Sequence, residues 1–75
     1  MEEAQQCEIG YQWYMVIYVP SADSTLIASC VMDYLAESDL DANVQSEAMK
    51  PLGMDIKMVV RMGTSDDYWK EVSAR

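Results

Sequence analysis

Apolar positions along the chain fall into runs of different period. From Tyr11 to Val19 the sequence YQWYMVIYV is rich in β-branched and aromatic residues, and it stops at Pro20. Proline cannot donate to a β ladder, and a run this short and apolar predicts a strand, the first of a single sheet. Alternation places Trp13, Met15, Ile17 and Val19 on one face, and Gln12, Tyr14, Val16 and Tyr18 on the other. The period of two returns at Met54, Ile56, Met58, Val60 and Met62, which alternate with Asp55, Lys57, Val59 and Arg61. That is a second clear strand. Between the two, Ile27, Val31, Tyr34 and Leu35 recur at helical spacing behind Ser21 and Asp23, either of which can cap. The spacing predicts a helix that ends near Ser38.

Asp39 to Met49 reads two ways. Leu40, Val44 and Ala48 stand four apart, which suits a helix. Lys50-Pro51-Leu52-Gly53, however, is a turn signal directly before a strand. A strand over Ala42 to Met49, folded back through that turn, gives the simplest hairpin. After Gly63, Thr64 and Ser65 cap a final helix, with Asp66 and Asp67 where the helix dipole favours acids and Tyr68, Trp69 and Val72 on its apolar side. Met1 to Gly10 is polar and acidic and predicts a frayed arm carrying an exposed Cys7.

Residues 1–75 thus make one α+β domain in the order strand, helix, strand, strand, helix. The order βαββα resembles a ferredoxin-like fold truncated before its last strand. It implies a three-stranded antiparallel sheet with two helices on one face. In that topology the first strand is an open edge, and so apolar an edge predicts pairing with a second copy, a homodimer through the first strand, or with a partner strand. Tyr14, Val16, Tyr18, Lys57, Val59 and Arg61 would share the outer face. Tyrosines among cations there suit a protein interface better than RNA stacking, because the aromatic-glycine signature of RNA-recognition sheets is missing and the net charge repels phosphate.

Charge changes the picture most. The chain carries 13 acids, 5 bases and no histidine, a net −8. All nine acids from Glu2 to Glu47 precede the first base, Lys50, so the front of the chain is of one sign. Two cysteines, Cys7 and Cys30, make no disulfide framework, and Met1-Glu2-Glu3 has no signal-peptide pattern, so the expected setting is a reducing cytoplasm. The longest apolar run is about half of what a bilayer span needs.

Candidate chemistry is thin. Asp39-Leu40-Asp41-Ala42-Asn43 echoes the start of a calcium loop, but Val44 and Lys50 occupy positions that require glycine and glutamate. Two distant cysteines without histidine cannot complete a zinc site. Cys30 lies at the edge of an apolar stripe with no histidine base, and Gly10, Gly53 and Gly63 are isolated turn residues rather than a phosphate loop. No enzyme activity, metal or cofactor is expected.

Asp33, Glu37, Asp39, Asp41 and Glu47 would lie along one helix, its end and the next strand. Carboxylates one helical turn apart stand about 5–6 Å from each other, not far from the spacing of phosphates along a DNA strand. In size, acidity and compact α+β build the chain resembles, as a class, the small phage-encoded inhibitors of host defence, the anti-CRISPR and anti-restriction proteins. That resemblance implies a non-enzymatic DNA mimic in the host cytoplasm, binding a basic nucleic-acid-handling protein such as a Cas or restriction subunit, without direct contact to nucleic acid or membrane. Those five acids, with Tyr14 and Tyr18 as apolar anchors, are the expected partner contacts. The alternative is a small ferredoxin-like homodimer that regulates or senses a ligand at its seam.

Overall fold

A computed structural model describes residues 10–75. The elements run β1 (Gln12–Pro20), β2 (Cys30–Ala36), α1 (Asp39–Ala48), β3 (Met54–Thr64) and α2 (Ser65–Ser73). The expected arm with Cys7 lies, except for Gly10, outside the described residues. The three strands form one antiparallel sheet in the order β2-β1-β3, with α1 connecting the two outer strands across the middle one. The α+β class and the three-stranded antiparallel sheet are as the sequence implied, but the ferredoxin-like order is not.

Two segments exchange roles relative to expectation. The stretch read as a first helix is a loop followed by β2, and the stretch read as a hairpin strand is α1. Ser21, expected as a possible helix cap, holds a turn instead: Ser24 N–H donates to the Ser21 carbonyl (3.0 Å), and Ser24 Oγ accepts from Leu26 N–H (3.0 Å). Downstream, Cys30, Tyr34 and Ala36 alternate inward while Val31, Asp33 and Leu35 alternate outward, so a period of two was hidden under an accidental helical spacing.

α1 begins where a cap is present. Ser38 Oγ accepts from Asp41 N–H (3.1 Å), and Asp41 Oδ2 accepts from Glu37 N–H (3.1 Å), so donors at the helix start are satisfied by side chains. The turn after it is real: Met54 N–H donates to the Pro51 carbonyl (3.1 Å), with Gly53 at φ +83°, where a side chain would be strained. It joins helix to strand, not strand to strand. α2 starts with a reciprocal capping box, Asp67 N–H to Thr64 Oγ1 (3.2 Å) and Thr64 N–H to Asp67 Oδ2 (2.9 Å). The Thr64 N–H bond, and after it the interaction with the Thr64 side chain, holds the Asp67 carboxyl below its usual range. Gly63 leaves the room this needs, since a Cβ there would come 2.5 Å from Asp67 Oδ2.

The faces of the sheet are the reverse of those expected. Tyr14, Val16 and Tyr18 are buried, and with Ala36, Ala42 and Met54 they make the core beneath α1. Trp13, Met15 and Ile17 are only half-buried on the other face. There Trp13 meets Tyr68 of α2 edge-on, with ring centroids 5.7 Å apart. The two helices therefore pack on opposite faces of β1, not on one. β3 contributes Ile56 and Val59 to the core, because its pairing with β1 slips at Lys57 and again at Met62. Each bulge inserts one residue and reverses the inside-outside phase of the strand beyond it. β1 has a neighbour on both sides, so it is not an open edge, and the homodimer expected through the first strand has no free strand there to use.

Candidate interaction surface

Three of the five carboxylates expected at a partner surface lie on α1, and a fourth stands just before its cap. Asp39, Asp41 and Glu47 belong to that helix and Glu37 precedes its cap, on a segment with no Lys or Arg before Lys50. Asp33 does not join them. It sits on β2 opposite Met15, on the sheet face away from α1, where it accepts from the Trp13 indole Nε1 (3.1 Å).

The four carboxylates differ in how far the fold already uses them. Asp39 Oδ1 accepts a short bond from the Tyr14 hydroxyl (2.6 Å). Asp41 is tied to Glu37 N–H and to Gln45 Nε2 (3.3 Å) at the helix start. Glu37 and Glu47 are more independent. Glu37 Oε2 accepts from the Tyr11 hydroxyl at 3.3 Å, and Glu47 lies 3.8 Å from Lys50 Nζ across one turn. An exposed pair of that kind contributes little.

Tyr14 and Tyr18 are not surface anchors. At 2% and 0% exposure they lie behind α1 rather than in front of it. They stand four residues apart on β1, about 13 Å along the strand backbone. Tyr14 thereby reaches the first turn of α1 at Asp39, and Tyr18 donates to the Ser46 carbonyl near its last turn (2.9 Å). The hydroxyl of Tyr18 has one proton, and a carbonyl can only accept. Tyr34 is accordingly the donor in the Tyr34–Tyr18 bond (3.0 Å). The two tyrosines hold the helix at both ends. The bond to Asp39, helped by burial and the carboxylate's charge, raises the Tyr14 hydroxyl above its ordinary pKa of 10.0. Burial, then the bond with Tyr34, raises Tyr18 further.

Sequence reasoning missed the outward line of α1. With about 100° per residue, Ala42 and Ser46 point at the sheet and are fully buried, while Leu40 and Val44 point away at 74% and 57% exposure. The signal was in the sequence: Ser38-x-x-Asp41 is a helix-start pattern, and it orients Leu40 and Val44 once Ala42 is taken as the inward residue.

Other features fall short of a chemical site. A cleft between α1 and β3, lined by Tyr14, Asp39, Asn43, Val59 and Arg61, holds about 130 Å³, and one beside Gly10, Tyr11 and Thr64 about 250 Å³. Both are below the range of small-molecule pockets. In the first, Arg61 is engaged through Nε (2.9 Å) and Nη2 by Gln12 Oε1. Cys30 is half-buried with its Sγ 3.9 Å from Met54 Sδ, at the edge of the core. Among the described residues no three His, Cys, Asp or Glu side chains are grouped to hold a metal ion, and no helix is long and apolar enough to cross a membrane. Comparison with protein-family models, with curated proteins and with solved structures found no match to this chain.

Proposed function

We propose that the chain is a non-enzymatic acidic binding protein that blocks a basic, nucleic-acid-handling partner in the cytoplasm, in the manner of the phage inhibitors of the anti-CRISPR and anti-restriction type. One observation carries this reading: Asp39, Asp41 and Glu47 on α1, with Glu37 just before its cap, lie on a segment that has no base before Lys50. Such a surface draws in cationic partners over distance and repels nucleic acid. The contacts are those four carboxylates. Asp33 faces elsewhere and is left out, and Tyr14 and Tyr18 act by holding the helix that carries the acids.

The test is capture of partners from lysate at low and high salt, then a mobility-shift assay on each captured protein with its own nucleic acid. The chain is expected to displace the nucleic acid, and Glu37→Lys combined with Glu47→Lys is expected to abolish displacement. Those positions are cleaner than Asp41, whose substitution would also remove bonds at the helix start. Capture that survives high salt, or of proteins that bind no nucleic acid, would overturn the reading.

A second reading, a small homodimeric regulatory module, is favoured by the outer edge of β2. Its seven residues pair with β1 in unbroken register and include no Lys or Pro, whereas β3 is broken by two bulges and carries Lys57 and Arg61. Unblocked edges of this kind pair readily. Sedimentation separates the two: a dimer through β2 persists or strengthens with salt, because each copy carries −8.

A further inference from the structure

We propose that the solvent face of α1 seats a cationic amphipathic helix, with Leu40 and Val44 as apolar anchors between two acidic flanks. The inference rests on the acidic reading above and names the shape of the partner's contacting element. α1 is amphipathic in the wrong sense for a helix that only covers a sheet. A surface helix normally turns its large apolar residues to the core and its polar ones to water. Here Ala42 and Ser46 face the sheet, while Leu40 and Val44, with Ala48 one turn further on, face solvent.

The fold accounts for the inward half of this inversion. Small residues turned to the sheet leave room for the tall side chain of Tyr18 to reach the Ser46 carbonyl, and Ser46 Oγ is satisfied within the helix by the Ala42 carbonyl (2.7 Å). Nothing in the fold requires the outward half. Single exposed apolar residues are ordinary, but Leu40 and Val44 stand one turn apart on a single ridge, a geometry that another helix can pack against.

Charge selects the occupant. Around the axis of α1, Asp41 lies on one side of the Leu40–Val44 ridge and Glu47 on the other, Asp39 being turned toward Tyr14, and no Lys or Arg occurs between Asp39 and Ala48. A second copy laid against this face would oppose acid to acid. Nucleic acid and an anionic membrane would be repelled as well. A helix with Leu-type residues on one stripe and Lys or Arg beside it satisfies both the ridge and its flanks. Ten residues make α1 about 15 Å long, enough to meet about three turns of such a helix.

The probe is a synthetic peptide of leucine and lysine only, about three turns long, with leucines on one helical face. Its control has the same composition in an order that destroys that face. Binding to the full chain is monitored by amide chemical shifts at low and high salt. The amphipathic peptide is expected to bind, with shifts centred on Leu40 and Val44, and the control about tenfold or more weakly. Leu40→Gln with Val44→Gln keeps good helix formers at exposed positions and is expected to remove that advantage without changing thermal stability. Equal binding of both peptides, with the double-Gln variant unaffected, would overturn the inference and leave the charge reading standing. No binding of either peptide would overturn it too, and nucleic-acid displacement would then decide the charge reading alone. Binding that depends on Leu40 and Val44 but is indifferent to salt would overturn the cationic character of the occupant and the charge reading with it, leaving only an apolar ridge.

Discussion

At the scale of single residues, the two buried tyrosines of β1 decide where the helix sits. A sequence reading sends Trp, Met and Ile inward and leaves Tyr outside, because a hydroxyl in a core needs a partner. Both hydroxyls find theirs on α1, at Asp39 and at the Ser46 carbonyl, so the tyrosine side of the strand is buried and the tryptophan side is not. Tyr18→Phe leaves the Ser46 carbonyl and the Tyr34 hydroxyl short of a buried partner, and is expected to lower stability by about 1–3 kcal/mol. Tyr14→Phe strands only a carboxylate that water can reach, and about 0.5–1.5 kcal/mol is expected. Chemical denaturation of both variants checks the order. The same tyrosines set an alkaline limit. Their folded-state pKa values lie above the ordinary 10.0, so the stability they contribute is complete below that pH and is lost as pH rises through the folded values. The denaturation midpoint is expected to be insensitive to these groups from neutral pH to about 10 and to fall above it, less steeply in Tyr18→Phe.

At the scale of elements, strands at the two ends of the apolar pattern were legible and the middle of the chain was not. β1, β3 and the Thr64-capped α2 come directly from alternation, Pro20 and Gly63-Thr64. Residues 21–49 failed for two physical reasons. Ile27, Val31 and Leu35 fall at helical spacing by accident, and only Val31 and Leu35 belong to β2. α1, conversely, buries Ala and Ser, so it lacks the apolar inward stripe by which helices are recognised. Its cap was the better guide. Ser38→Ala removes the oxygen that accepts from Asp41 N–H and is expected to destabilise the protein by about 1 kcal/mol. Faster amide exchange should emerge in Asp39 to Ala42 before it emerges in β1. Uniform loss across all elements would mean that the cap does not control the helix locally.

For the molecule as a whole, the one-signed front of the sequence becomes a one-signed helix rather than a one-signed half. The candidate surface was legible as a list of acids but not as a shape: Asp33 left it for the opposite sheet face, and Leu40 and Val44 joined it. The cations of β3 do not neutralise α1 as a whole. Arg61 stands at Asp39 alone, while Glu37 is exposed and Glu47 has only the exposed 3.8 Å pair with Lys50. The same carboxylates make self-association through α1 unfavourable and a basic partner favourable. The salt dependence of partner affinity tests this most directly, by titration calorimetry of the captured protein with the wild-type chain and with Glu37→Lys combined with Glu47→Lys. Affinity that falls steeply as salt rises, with a shallower slope and weaker binding in the double variant, is the result expected. An affinity that ignores both salt and the two reversals of charge would contradict the account.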